Sequence, residues 1–298
     1  ESCVIESKQD VLHSLFPSEL KRLVSLSQDI GTEAQADIFW RGMTVALGVY
    51  RSYAGEEPFS SADKKHIEKA AQKASSIYGK KFEESKEIFL PVLMNPVTEQ
   101  HKKIVREWQQ LSGPAMAKGL EDCAHYRYTP LAALNEVGCE AHINDNAEKE
   151  YFAWAQENIK SRPYSLLATS THDTKRSEDA RARLYTLADN PDKWLDFFAQ
   201  AVLLNENIKK GFAIRPATEY FLYQAIVGIW PWNGDIDEGF VNRVCDYMKK
   251  SVKEARVETS WLKPDTQYEE NLEKFVRSVL SHDAFKNHIN KFVGSIAE

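Results

Sequence analysis

The stretch SLLATSTHDTKRSEDARARL, Ser165 to Leu184, places His172 and Asp173 side by side and follows them with Lys175 and Arg176. Ser177 is a good helix N-cap, and Glu178 and Asp179 fall in the first turn, where the helix dipole favours acids. Ala180, Leu184 and Leu187 then share one face, which leaves Arg181 and Arg183 at the surface or half-buried. Ser165 to Ser170 reads as a short strand or extended segment. His172 and Asp173 therefore sit where an extended segment gives way to a helix, the position at which α/β folds gather catalytic polar residues. An Asx-type turn with a satisfied histidine explains the same pair without any chemistry.

A second constellation is MAKGLEDCAHYRY. It brings Lys118, Glu121, Asp122, His125, Tyr126 and Arg127 into ten residues beside a Gly-Pro pair. Charged, aromatic and hydroxyl groups on a segment rich in turn signals suit a polyhydroxylated ligand; a solvated loop in which Glu121 pairs with Arg127 is the plainer alternative. A metal site competes for the His-Asp pair: His125, His142, His172-Asp173 and His282-Asp283 supply the residue types of a helical phosphohydrolase. Against it, Thr169, Ser170, Thr171 and Thr174 surround the pair, and these are poor helix formers. Trp230, Trp232 and Trp261 lie near turns, where they could stack on sugars, although large aromatics at helix ends more often belong to a core.

The elements that must position these residues are helices. PSELKRLVSLSQDIG aligns Leu20, Leu23, Val24 and Ser27 and reaches Gly31 as a stop. EAQADIFWRGMTVALGVYRSY aligns Phe39, Met43, Ala46, Leu47 and Tyr50. SADKKHIEKAAQKASSIYG starts at a Ser60 or Ser61 cap and stops at Gly79, Pro91 and Pro96 bracket a break, and a helix through Ile104, Val105 and Trp108 follows. Gly-Pro, Lys-Gly and Thr-Pro predict turns between residues 113 and 130, and a helix is expected near Glu148 to Lys160. Farther on, Phe221, Leu222, Ala225, Ile226 and Ile229 share a face, as do Phe240, Val241, Val244, Cys245 and Met248, and a final helix pair covers roughly Tyr268 to Ile296.

Composition sets the outer bounds. The chain has 298 residues, 43% of them hydrophobic, and a net charge of −6. That supports a sizeable core and argues against wholesale disorder. No basic stripe points to nucleic acid or an anionic membrane, and no apolar run approaches the roughly 20 residues of a membrane span. The four cysteines are scattered without a C-x-x-C, as expected of reduced thiols in a cytoplasmic protein. The first residue is Glu1 and the opening decapeptide is no signal peptide, so a chain cut from something longer is expected.

Four segments carry a resemblance. SLLATSTHDTKRSEDARARL, GPAMAKGLEDCAHYRYTPLAALNEVG, RPATEYFLYQAIVGIWP and YMKKSVKEARVETSWLKPDTQYEENLEKFV are similar, in order from about Val45 to Val276, to segments of the maltooligosyl trehalose synthase family of the α-amylase superfamily. The resemblance implies isomerisation of the reducing-end α-1,4 glucosyl linkage of a malto-oligosaccharide to α,α-1,1 by retaining intramolecular transglycosylation, in which one carboxylate attacks the anomeric carbon and a second acid protonates the leaving oxygen. It further implies that Asp173 is the third, transition-state-stabilising carboxylate, with His172 its hydroxyl-binding neighbour. Lys118, Glu121, Asp122, Tyr126, Arg127, Lys175 and Arg176 match positions that bind substrate or shape the site. No cofactor or metal is implied.

The nucleophile and acid segments, of RIDH and VEKIL type, do not occur, nor does the later PGVPD segment. The expected fold is thus mainly α, the helical insertion of an amylase-type (β/α)8 barrel with at most one or two short strands: residues 1–110 helical, 111–190 turn-rich and returning the site motif, 191–298 helical. Without neighbouring barrel strands, Ser165 to Ser170 should be irregular or weakly paired, since a lone strand cannot satisfy its backbone. Two sugar hydroxyls on Asp173 would contribute about 3–6 kcal/mol, at roughly 1.5–3 kcal/mol each. Enzymes lower barriers by about 8–23 kcal/mol. The chain alone is therefore expected to be inactive, its partners being a malto-oligosaccharide and the remainder of the barrel, with neither nucleic acid nor membrane. The alternatives are a helical binding or scaffolding module and an all-α metal phosphohydrolase built on His172 and Asp173.

Overall fold

The computed structural model describes residues 1–53, 59–139 and 146–296, and these form two units, Glu1–Arg127 and Tyr128–Glu298. In the first unit, α1 (Ser2–Ser14), α2 (Pro17–Leu26), α3 (Glu33–Ala46), α4 (Ser61–Tyr78), α5 (Lys80–Met94) and α6 (Glu99–Met116) pack around α3. Local chemistry sets the helix starts. Thr32 and Gln35 form a capping box on α3, and the Ser60 and Thr98 side chains accept backbone N–H groups of α4 and α6. Gly79, at φ 64°, ends α4.

The centre of this unit is aromatic. Phe39 stacks on Phe82 and Phe89, with ring centroids 5.7 and 5.4 Å apart, and Trp40 lies 6.3 Å from Trp108. Both indoles are fully buried and both N–H groups are satisfied: Trp40 Nε1 donates to Ser27 Oγ at 2.9 Å and Trp108 Nε1 to Thr44 Oγ1 at 3.1 Å. Phe39→Ala is expected to destabilise this unit by about 3–5 kcal/mol, the range for an aromatic removed from a packed core. Urea denaturation monitored by tryptophan fluorescence checks it, and an unchanged midpoint would contradict this placement of the core.

Several expected boundaries move. Helix α2 stops at Leu26, and Ser27 to Gly31 form turns instead of a last helical turn. Helix α3 stops at Ala46, so Tyr50 lies beyond it and is exposed. Pro91 falls inside α5, and the break comes at Asn95. Gly113-Pro114 and Lys118-Gly119, expected to be turns, both lie in continuous helix: α6 passes into a π-helical stretch, Ala117–Ala124, and then α7 (His125–Arg127). Pro114 lacks the N–H that would bond back to residue 110, and the helix widens shortly after it. Gly119 meets a packing demand. A Cβ there would stand 2.5 Å from Lys8 Cγ on α1 and 3.0 Å from its Cα, so only glycine lets the two helices approach this closely. The Thr129-Pro130 signal does end the helical run.

The second unit contains α8 (Ala147–Ser161), α9 (Glu178–Asp189), α10 (Pro191–Lys209), α11 (Pro216–Ile229), α12 (Glu238–Ala255), α13 (Thr266–Ser281) and α14 (Asp283–Ile296). The apolar face of α11 is buried as its spacing predicts, except for Ile229 at its end, and Ala180, Leu184 and Leu187 of α9 are buried with it. Trp194, Phe197 and Phe292 cluster between α10 and α14. A polar network threads this core. Tyr223 donates to Glu219 at 2.9 Å, Asn205 Nδ2 donates to the Tyr223 hydroxyl at 3.0 Å, Lys209 pairs with Glu219, and His282 Nδ1 lies 3.0 Å from Asn205 Oδ1. Burial pushes the Tyr223 hydroxyl far above its ordinary range, reinforced by the Glu219 charge, so it stays a donor. Among the described residues there is no strand, and Ser165 to Ser170 is irregular and exposed, as the missing strand neighbours imply. Among the described residues no helix is long and apolar enough to cross a membrane.

Candidate functional site

In the second unit the His-Asp pair sits on a turn that its own hydroxyls hold. Thr171 Oγ1 accepts the Asp173 N–H at 3.2 Å, and Thr174 Oγ1 donates to the Thr171 carbonyl at 2.8 Å. The turn is thus held by threonines and is not the Asx-type turn with a satisfied histidine: Thr171 supplies the accepting side chain, and the His172 ring and Asp173 carboxylate are exposed. His172 and Asp173 side chains are 92% and 72% exposed, with Nε2 and Oδ2 3.7 Å apart, a loose contact available to a ligand.

What fixes this turn is Glu136, a buried carboxylate 1% exposed. Its Oε1 accepts the backbone N–H of Lys175 at 2.5 Å and of Val137 at 3.1 Å, and its Oε2 accepts that of Arg176 at 3.1 Å. Arg176 Nη1 in turn donates to the Asn135 carbonyl at 3.2 Å. On the other side Ser177 caps α9, and the Glu178 N–H donates to Ser170 Oγ at 2.9 Å. The segment holding Glu136 is itself pinned to α11: Gln224 accepts the Ala132 N–H at 2.7 Å and donates to the Thr129 carbonyl at 2.8 Å. Asp173 is therefore exposed and backed by a rigid base, which suits a group that meets a ligand.

In the first unit the second constellation lies on the π-helical stretch and α7. Lys118 and Asp122 pair across one turn at 2.5 Å, Glu121 accepts the Tyr50 hydroxyl, and Arg127 pairs with Asp10 of α1. Tyr126 and His125 are buried. The solvated-loop alternative fails, because these residues are helical and several are in the core. Their base is Lys8, 1% exposed, whose Nζ donates to the carbonyls of Val45 at 3.1 Å, in the last turn of α3, and of Leu47 at 2.8 Å, just past its end. Burial drives its pKa down to about 7, with a smaller push from Lys73.

Lys8 and Glu136 were not expected from motifs. Lys8 had a signal: it falls in register with Val4, Val11 and Leu12 on the apolar stripe of α1. Glu136 had none. For the metal alternative, His142 lies outside the described residues. His282 meets Asn205, and Asp283 pairs with Lys286 at 2.6 Å. Among the described residues no three His, Cys, Asp or Glu side chains form a metal-binding group. Trp230 belongs to the core, its Nε1 bonded to Asn290 at 2.6 Å; Trp232 and Trp261 are exposed, under Arg183 and Lys253 respectively.

These features define a mainly α-helical protein that presents an exposed His-Asp turn, with no strand among the described residues. No protein-family model matches the chain. It is 36% identical over 176 residues to a Mycobacterium tuberculosis protein that carries the name maltooligosyl trehalose synthase, covering 58% of this chain and 22% of that one. Among solved structures, maltooligosyltrehalose synthase from Arthrobacter ramosus matches with a TM-score of 0.81 and 29% identity, over 99% of this chain and 36% of its own. A Sulfolobus tokodaii structure under the same enzyme name matches with a TM-score of 0.75 and 26% identity, again over 99% of this chain and 36% of its own. The chain resembles a helical part of maltooligosyl trehalose synthase, and it spans between about a fifth and about a third of the length of these relatives.

Proposed function

We propose that this chain is the helical part of a maltooligosyl trehalose synthase that returns one catalytic carboxylate to the active site. In this reading the whole enzyme converts the reducing-end α-1,4 linkage of a malto-oligosaccharide to α,α-1,1 in the cytoplasm. Asp173 accepts hydroxyls of the glucosyl ring at the cleavage point and stabilises the oxocarbenium-like transition state, and His172 holds a neighbouring hydroxyl. Lys118, Glu121, Asp122, Tyr126, Arg127, Lys175 and Arg176 bind substrate or shape its site. Glu136 positions Asp173 without touching sugar. The nucleophile and general acid come from the remainder of the barrel.

The observation that supports this best is the exposed Asp173 turn on its buried carboxylate anchor, in a chain that aligns over 99% of its length with a synthase structure. The isolated 298-residue chain is expected to release no non-reducing product from maltopentaose. An NMR titration with maltopentaose is expected to shift amides at 172–176, weakly in the native chain and less in Asp173→Asn. Non-reducing product that Asp173→Asn abolishes would overturn the inactivity. A titration with no shift at this turn would favour a scaffolding module.

A further inference from the structure

We propose that Arg176 is the floor of a binding pocket for a small organic carboxylate. Arg176 is buried, 9% exposed, and although the Glu136 carboxylate accepts its backbone N–H, among the described residues no carboxylate is bonded to its guanidinium. Its Nη1 is used by Asn135, but Nε and Nη2 lie out of solvent contact with no hydrogen-bond partner. Those two nitrogens form one edge of the guanidinium, the edge that matches a carboxylate with two parallel N–H···O bonds. The rings of Phe221 and Tyr247, with centroids 5.5 and 6.0 Å from Cζ, supply cation–π attraction to the guanidinium. That attraction does not provide acceptors for in-plane N–H groups. A buried cation with an unused fork is the arrangement an anionic partner would complete.

Arg176 lines a cavity of about 280 Å³ in the second unit, just below the 300–1,000 Å³ of common ligand sites, with its Nε and Nη2 out of solvent contact. Three cations, Lys175, Arg176 and Arg243, line it, and no aspartate or glutamate does. The remaining wall is largely apolar, with Leu184 of α9 and Ala225 and Ile229 of α11. Hydrated phosphate would leave that wall unused, whereas a carboxylate on an apolar body uses both parts. Because Nε and Nη2 are shielded, a ligand reaches them by displacing a lining side chain, and Arg243 is a lining residue that is exposed. The carboxylate can belong to a free acid or to an Asp or Glu side chain on polypeptide outside these 298 residues.

Titration of the chain with sodium benzoate, followed by calorimetry, is expected to give saturable binding that benzamide, its uncharged counterpart, does not. Arg176→Gln is expected to weaken benzoate at least about tenfold, the loss of a charge-assisted hydrogen-bond pair. Should that variant fail to fold, Arg176→Lys carries the test: it keeps the charge, loses the fork, and is expected to bind several-fold more weakly. Equal affinity for benzoate and benzamide, or unchanged benzoate affinity in a folded Arg176 variant, overturns the proposal. Repeating the titration on the longer parent protein separates the sources. Retained benzoate binding assigns a free acid, and loss of it, with binding intact in the isolated chain, assigns a carboxylate of the added polypeptide.

Discussion

Glu136→Gln is expected to lower the stability of the second unit by about 2–4 kcal/mol and to release the backbone at Lys175 and Arg176. The carboxylate accepts three backbone N–H groups while 1% exposed. Hydrogen bonds to a charged group contribute roughly 1.5–3 kcal/mol each, and neutral ones roughly 0.5–1.5 kcal/mol. A glutamine has one carbonyl oxygen for three donors, and its own NH2 must face at least one of them. An N–H buried without a partner costs about 1–3 kcal/mol, so the neutral isostere is heavily penalised. Urea denaturation gives the stability change, and hydrogen exchange at the Lys175 and Arg176 amides reports the site. If both amides keep their protection in the variant, Glu136 is not the anchor of the Asp173 turn. Loss of protection there with an intact α9 would mean that the turn is held separately from the helix it precedes.

How much of this was legible from sequence depends on the range of the cause. The Ser177 cap, the Gly79 stop and the buried face of α9 follow from interactions within a few residues, and the structure has them as read; of the two serines offered for α4, Ser60 is the cap. The exposed, unpaired Ser165–Ser170 segment also followed, because a strand without partners cannot close its hydrogen bonds. Gly113-Pro114 and Lys118-Gly119 misled. Local statistics assign both to turns, but Gly119 is there because Lys8, more than a hundred residues earlier, crosses at that point. The π-helical stretch carrying Lys118, Glu121 and Asp122 has no spacing signature of its own. Glu136 bonds residues 39 and 40 positions away, and no motif of types and spacings exposes such a link. The candidates for contact with ligand were thus visible, and Lys8 had a signal in its register on α1, while the Glu136 anchor was visible only once the chain was folded.

Lys8 makes the first unit sensitive to pH in a direction opposite to that of a salt-bridged lysine. Its folded pKa of about 7 lies below the ordinary 10.5. Below about pH 7 both folded and unfolded states carry the proton, and the folded state bears the full cost of a buried ammonium. Between the two values the unfolded chain binds a proton that the folded chain does not, so stability rises with pH by about 1.4 kcal/mol per unit. Over the whole window the gain approaches about 5 kcal/mol. The geometry agrees with this sign. A neutral amine has two hydrogens, enough for the Val45 and Leu47 carbonyls, whereas the third hydrogen of an ammonium finds no acceptor. Lys8→Met removes the titration but leaves those two carbonyls, one from the last turn of α3, without their donor. The absolute stability of the variant is therefore a mixture of gains and losses, and the readout is the slope. From about pH 7 to about pH 9 the native chain is expected to gain roughly 2 kcal/mol relative to Lys8→Met in urea denaturation of the first unit. Parallel pH profiles for the two proteins would mean that Lys8 keeps an ordinary pKa in the folded state. Because Lys8 also packs against Gly119, the same titration is expected to tighten the stretch that carries Lys118, Glu121 and Asp122 as pH rises through 7, seen as slower exchange of its amides after correction for the intrinsic rate.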